Sequence, residues 1–289
     1  MKKDTKYSYQ INLQDKNSTH GLISDEIKNN SSILELGCDS GYFLQALQIE
    51  KNCHVFGLDY NEKAINLAQK QKLSVKKADF NIDKINKFEK QKYDYILLVD
   101  LLEHLNPPAQ NLIKQFKNIL KKNGQVIISV PNINHVDVIS LMLTYGFGYL
   151  ETGLLDKTHL HFYSSKELIT LMWQHGFVCD KIKTVLVPPG YTRVARPETK
   201  YQIQLKKVVD ICNPKTNFVY QYIYIFRQRK KTDTLDKQLS KLAKTTINLN
   251  SNSLTLVYPV NRIITVGKWL LRKYLWEFLD KIKNLIKKS

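Results

Sequence analysis

The stretch Ile33-Leu34-Glu35-Leu36-Gly37-Cys38-Asp39-Ser40-Gly41 limits the possible folds more than any other part of the chain. Its apolar start predicts a short buried strand, its glycines a turn, and Tyr42 to Ile49 a helix. Glycine in such a turn lets the backbone pass close to a ligand, because no side chain blocks the approach. A second strand, His54-Val55-Phe56-Gly57-Leu58, ends in Asp59. That carboxylate follows the loop by about twenty residues, the spacing at which an acid reaches ribose hydroxyls in a nucleotide-binding βαβ unit. The loop is not G-x-G-x-x-G and offers no obvious helix N-terminus to a pyrophosphate. A ligand with a ribose and no phosphates fits it better.

Strand and helix character alternate from residue 31 onward. Strands are predicted at Ile33–Leu36, His54–Leu58, Ser74–Ala78, Tyr93–Val99, Gln125–Val130, Phe177–Val187 and Phe218–Phe226, and helices at Tyr42–Ile49, Glu62–Lys72, Ala109–Lys121 and Lys166–His175. Such alternation implies a doubly wound parallel sheet of the α/β class. Lys121-Lys122-Asn123-Gly124 reads as a helix end. Three segments interrupt the pattern. Residues 1–30 form an N-terminal segment with a helix at His20–Lys28, capped by Ser18 or Thr19. Residues 131–165 leave from the carboxyl end of the fifth strand, the end where ligands bind, and are expected to act as a substrate lid. Residues 188–217 separate the last two strands.

The chain has 289 residues with 43% hydrophobic content, enough for one domain of moderate size and an appendage. Four scattered cysteines (Cys38, Cys53, Cys179, Cys212) show no paired metal spacing, and no metal site is expected. They suit a cytosolic protein with reduced thiols. The polar N-terminus carries no signal peptide, and no run approaches the ~18 apolar residues of a membrane span. Net charge is +18, but Arg227 to Ser289 holds 15 Lys/Arg against 4 Asp/Glu, a balance of +11. The basic excess is therefore mostly a property of the C-terminal extension, residues 229–289, and the remainder is only modestly basic.

The loop and the order of the strand ends resemble the class I S-adenosylmethionine (SAM) methyltransferases, whose first motif is Glu/Asp-x-Gly-x-Gly-x-Gly. Asp39 stands at the middle glycine; aspartate tolerates a left-handed backbone better than most residues. The resemblance runs over about residues 31–187 by motif order, extends weakly to Phe226, and implies a seven-stranded Rossmann-like methyltransferase sheet, mostly parallel, with an antiparallel edge strand, over residues 31–228. It implies SAM as cofactor. Glu35 would orient the Gly37–Gly41 turn and receive the cofactor's ammonium group, directly or through water. Asp59, with Tyr60 beside it, would accept ribose hydroxyls. Asp79 would accept from the adenine amino group, with a backbone N–H at Phe80 serving a ring nitrogen. Asp100 and Leu101 would border the amino-acid portion.

The acceptor side rests on Gly153-Leu154-Leu155-Asp156-Lys157-Thr158-His159-Leu160-His161-Phe162-Tyr163-Ser164, which runs into a capping box at Ser164-Ser165-Lys166-Glu167. With Asp100-Leu-Leu-Glu103-His104-Leu and Val130-Pro131-Asn132, it resembles small-molecule methyltransferases of bacterial quinone biosynthesis and, more closely, of surface-polysaccharide biosynthesis. Those members typically carry Arg at the position of His161. Removing a proton from an alcohol or phenol calls for a base, and histidine titrates in the right range. His159 is the first candidate, followed by His161 and His104. Asp156 either orients an imidazole or shapes a turn, and Tyr145, Phe147, Tyr149 and Phe162 are expected to line the acceptor region. The expected acceptor is a small molecule or glycan methylated at oxygen.

Residues 262–288 can form a basic amphipathic helix for an anionic membrane surface or for packing on a protein. Two other functions remain open. One is an RNA methyltransferase, favoured by charge but without a recognisable RNA-binding module or an Asn/Asp-Pro-Pro-Tyr/Phe motif. The other is a non-catalytic scaffold at the membrane surface.

Overall fold

In the computed structural model, which describes residues 11–88, 90–106, 109–195 and 217–240, the predicted alternation is present. In chain order the elements are α1 (Thr19–Ser24), β1 (Ser32–Leu36), α2 (Tyr42–Lys51), β2 (His54–Asp59), α3 (Glu62–Lys70), β3 (Val75–Lys77), β4 (Tyr93–Val99), α4 (Gln110–Ile113), α5 (Phe116–Ile119), β5 (Leu120–Pro131), α6 (Val136–Thr144), α7 (Ser165–Gln174), β6 (Phe177–Leu186) and β7 (Val219–Gln228). They build one seven-stranded sheet in the order β3-β2-β1-β4-β5-β7-β6. Strands β1 to β5 pair in parallel, and β7 runs antiparallel to both β5 and β6. The sequence order reverses between β1 and β4, so the ligand crevice of this sheet opens at their carboxyl ends.

Successive side chains of each strand enter opposite faces, and both faces are covered. Leu34, Leu36, Ile96, Leu98, Val126 and Ile128 pack with Phe116 of α5 and with Leu168 and Met172 of α7. Ile33, Tyr95, Leu97 and Ile127 pack on the other face with Phe43, Leu44 and Leu47 of α2, Ile65 of α3 and Ile23 of α1. The caps are local. Asn61 accepts from the N–H groups of Lys63 and Ala64 at the start of α3, and Ser164 with Glu167 forms the expected capping box of α7.

Four sequence expectations shift. The helix over 109–121 is two short helices, and residues 121–124 belong to β5. There Tyr93 pairs with Leu120 while Tyr95 pairs with Gln125, so the intervening residues bulge and resemble a turn in sequence. The helix over 20–28 is the shorter α1, capped by Ser18; beyond it Lys51 donates to the carbonyls of Ser24 and Ile27. The insert carries an unpredicted helix, α6, which buries Val138 and Leu141 against Leu154, Leu155 and Val194. Residues 235–240 are helical, with Gln238 accepting from the Cys179 N–H and Leu239 against the core. The predicted amphipathic helix at 262–288 lies outside the described residues. Among those described, no helix is long and apolar enough to cross a membrane.

Candidate functional site

The turn after β1 is held from β2. Gly37 adopts φ 78° and donates to the Leu58 carbonyl at 2.7 Å. A Cβ there would stand 3.0 Å from Leu101 Cδ1, so the chains leaving β1 and β4 approach as glycine permits. Gly41, at φ 76°, begins α2. Asp39, in place of the usual glycine, adopts φ 45°. The left-handed turn therefore survives, as the tolerance of aspartate for this region predicts. Asp59 locks it: Oδ2 accepts the Asp39 N–H at 2.9 Å and Oδ1 accepts the Asn61 N–H at 2.8 Å.

Three carboxyls crowd this end of β1 and β2. Glu35 is 3% exposed, and its Oε2 has no hydrogen-bond partner among the described residues; the same is true of Asp39 Oδ1. Burial, then the charges of Asp59 and Asp39, pushes Glu35 up to about 8. Burial and Asp59 push Asp39 up to about 6. Asp59 also titrates above the ordinary range because it is buried, although backbone N–H groups partly offset this.

At the end of β4, Asp100 adopts φ 52°. Its N–H donates to Ser129 Oγ at 3.1 Å, and that hydroxyl donates back to Asp100 Oδ1 at 2.8 Å. Gln221 of β7 donates to the same carboxylate, and Thr19 of α1 donates to Gln221 Oε1. The network ties the N-terminal segment to the strand rim. Burial holds the Asp100 carboxyl up to about 6. Asp79 serves its own loop, accepting the Asn81 N–H at 2.9 Å; Phe80 packs half-buried on the core, and Tyr60 is exposed.

The insert closes on the short 3₁₀ turn Leu102–His104. Leu160 and His161 donate their N–H groups to the Glu103 carbonyl at 2.7 and 3.2 Å. His104 Nδ1 contacts the Thr158 carbonyl at 3.1 Å, and His159 Nδ1 contacts the Leu154 carbonyl at 3.2 Å. The two rings stand 4.8 Å apart, edge to face. His161 is engaged elsewhere, with Nε2 2.7 Å from Glu167 Oε1. The three candidate histidines thus separate into a pair and a single residue. Asp156 Oδ1 accepts from the Thr158 N–H and hydroxyl, the bonds of a turn residue. Phe162 lies 5.8 Å from the His159 ring, Phe147 6.5 Å from Phe162, and Tyr149 5.0 Å from Phe147. With Phe147, Tyr149 and Tyr145 exposed, aromatic rings lead from the surface to His159.

Sequence reasoning did not assign Ser129, Gln221, Thr19 or the Glu103 side chain to the site. Glu103 is 1% exposed with Oε2 unpartnered among the described residues, and its carboxyl lies well above the ordinary range through burial and the neighbouring Asp100 charge.

A doubly wound sheet with an acid-lined glycine turn at its switch point defines a nucleoside-binding α/β domain. The chain matches the family model described as a methyltransferase domain over residues 11–182, more than half its length, and belongs to that family, whose cofactor is SAM. It is 34% identical over 117 residues to a probable (S)-tetrahydroprotoberberine N-methyltransferase 2 of Papaver bracteatum, covering 38% of this chain and 32% of that protein. It is 32% identical over 114 residues to a ubiquinone biosynthesis O-methyltransferase of Pelagibacter ubique, covering 38% of this chain and 45% of that protein. The chain therefore spans less than half the length of these relatives. Among solved structures, a SAM-dependent methyltransferase from Archaeoglobus fulgidus superposes with a TM-score of 0.51 at 19% identity, over 74% of this chain and 97% of that one. One from Mesorhizobium loti gives 0.51 at 16% identity, over 75% and 100%. At these identities the solved structures establish the fold: that of the class I SAM methyltransferases.

Proposed function

We propose that this protein is a SAM-dependent methyltransferase that methylates oxygen on a small-molecule or glycan acceptor. The carrying observation is the acid-lined turn, where Glu35 Oε2 and Asp39 Oδ1 are buried without partners among the described residues. Such groups destabilise a fold unless a cation or donor meets them. An ammonium and a ribose diol suit this rim, and a pyrophosphate would be repelled by it. In this reading Glu35 receives the ammonium, Asp59 the ribose hydroxyls, and Asp79 with the Phe80 backbone the adenine edge. Tyr60 flanks the ribose, and Gly37, Asp39, Gly41, Asp100 and Leu101 border the amino-acid portion. When bound, SAM supplies an electrophilic methyl on a sulfonium.

The chain then has to align the acceptor, exclude water and take its proton. His159 is the first candidate for the proton. A carbonyl only accepts, so its contact with Leu154 fixes the Nδ1–H tautomer and places the ring's lone pair on Nε2. His104 is the second candidate, and His161, paired with Glu167, the third. The aromatic path suits the apolar faces of sugars or of aromatic acceptors. The resemblance to surface-polysaccharide enzymes favours a glycan.

A second reading, N-methylation, is favoured by the name of the Papaver relative. It predicts that His159→Ala barely changes the rate, because a neutral amine attacks through its own lone pair without first losing a proton. The deciding test begins with calorimetric titration of S-adenosylhomocysteine into the wild type and Asp59→Ala. Micromolar binding lost in the variant supports the cofactor site and leads to an acceptor screen starting with glycans. Absence of binding to a folded wild type would favour the scaffold reading. For the basic residues 262–288 we propose contact with an anionic membrane face, tested by vesicle sedimentation.

A further inference from the structure

We propose that Glu103, His104 and His159 bind one divalent transition-metal cation of the zinc or manganese type. No such ligand set is expected from sequence, because His159 is brought to Glu103 and His104 only by the insert. Each of the three side chains offers a ligand-type atom, and these atoms lie within 4.8 Å of one another. Two imidazoles and a carboxylate suit cations of this class.

A second observation is the support behind the ligands. Both histidines direct Nδ1 at a backbone carbonyl, Thr158 at 3.1 Å and Leu154 at 3.2 Å. Metal-binding histidines are usually held this way, because the carbonyl fixes the tautomer and orients Nε2 for coordination. The third observation is Glu103 itself, 1% exposed with Oε2 unpartnered among the described residues. A buried carboxylate without a compensating charge is costly, and a cation between it and two neutral imidazoles removes that cost. Ligand atoms on a tetrahedral zinc stand about 3.4 Å apart, so closure requires side-chain shifts on the order of 1 Å.

The location relative to the acceptor rests on the methyltransferase reading; the site does not. Within that reading the cation binds the acceptor hydroxyl, lowers its pKa and releases its proton to solvent. His159 is then a ligand, and the cation takes over from the imidazole in ionising the acceptor.

The test uses the untagged full chain, freed of metal by chelator and titrated with Co2+ under visible absorption. One Co2+ per chain is expected, with d–d bands that Zn2+ abolishes. His159→Ala and Glu103→Gln should each weaken binding roughly tenfold or more. S-adenosylhomocysteine affinity, measured on the same samples, should persist, which separates failure of the metal site from failure of the cofactor site. Should the buried substitutions unfold the protein, His104→Ala, at a partly exposed ring, takes their place. A folded wild type without d–d bands would overturn the proposal, as would bands of equal strength in the folded variants; either result would leave the pair as edge-to-face packing beside the buried Glu103.

Discussion

Glu35, Asp39 and Asp59 meet at the ends of adjacent strands, where burial sets each against its neighbours. The consequence for stability has a definite sign. Glu35 titrates near 8 in the folded chain against an ordinary 4.5, so the folded state retains a proton that the unfolded state has released. Stability of the ligand-free protein should therefore fall as pH rises from about 4.5 to about 8. Glu35→Gln should flatten this slope in urea unfolding measured across that range; an unchanged slope would remove Glu35 as its source. The same group should make S-adenosylhomocysteine bind more tightly as pH approaches 8, because the carboxylate form meets the ammonium. Asp59→Ala should weaken that ligand by roughly 10–100-fold, the worth of about 1.5–3 kcal/mol for hydrogen bonds to a charged group. Asp59 was legible in sequence because it ends the apolar run of β2, and Glu35 and Asp39 because they belong to the stretch in which β1 gives way to its glycine-containing turn. Ser129, Gln221 and Thr19 were not, because their only link to Asp100 is the tertiary network that joins β4, β5, β7 and α1.

At the scale of elements, α6 and the segment after β6 are joined by one buried carboxylate. Asp137 Oδ1 accepts the Gly190 N–H at 2.8 Å, and Oδ2 accepts the Thr192 N–H at 3.2 Å and its hydroxyl at 2.6 Å. His135 also ties in, capping α6 and contacting the Val187 carbonyl at 2.8 Å. Removing the carboxylate leaves three donors unsatisfied, so Asp137→Ala should destabilise the protein by about 3 kcal/mol or more. Amide exchange should rise first at residues 190–194; an unchanged exchange rate there would show that the segment is held by other contacts. This clamp was illegible in sequence because α6 itself was. Its apolar, partly β-branched run after Pro131 has no Ser/Thr/Asn/Asp cap, and His135 fills that position. By contrast, β1, β2 and β4 were read within one residue of their ends, because their apolar runs are buried on both faces and bounded by polar residues.

For the molecule as a whole, two kinds of binding should separate by their response to salt. The cofactor rim is a set of buried carboxyls, and buried interactions are screened little. The basic excess lies largely in the C-terminal extension, where +11 of the net +18 falls between Arg227 and Ser289. Anything held by that excess, whether RNA or anionic lipid, should bind with an affinity that falls steeply with ionic strength. S-adenosylhomocysteine at about 100 times its dissociation constant should add about 2.7 kcal/mol to stability, raising Tm by roughly 5–10 °C. That shift should persist between low and high salt and shrink in Asp59→Ala to about 0.4–1.4 kcal/mol, the remainder left by a 10–100-fold weaker ligand. RNA or vesicle binding should fade over the same range while the shift remains. If instead the ligand shift weakens in step with RNA binding, the nucleoside and the polyanion share one basic surface, and the RNA methyltransferase reading moves ahead. If no shift occurs at any salt concentration in a folded protein, the rim does not hold the cofactor, and the fold serves as a scaffold.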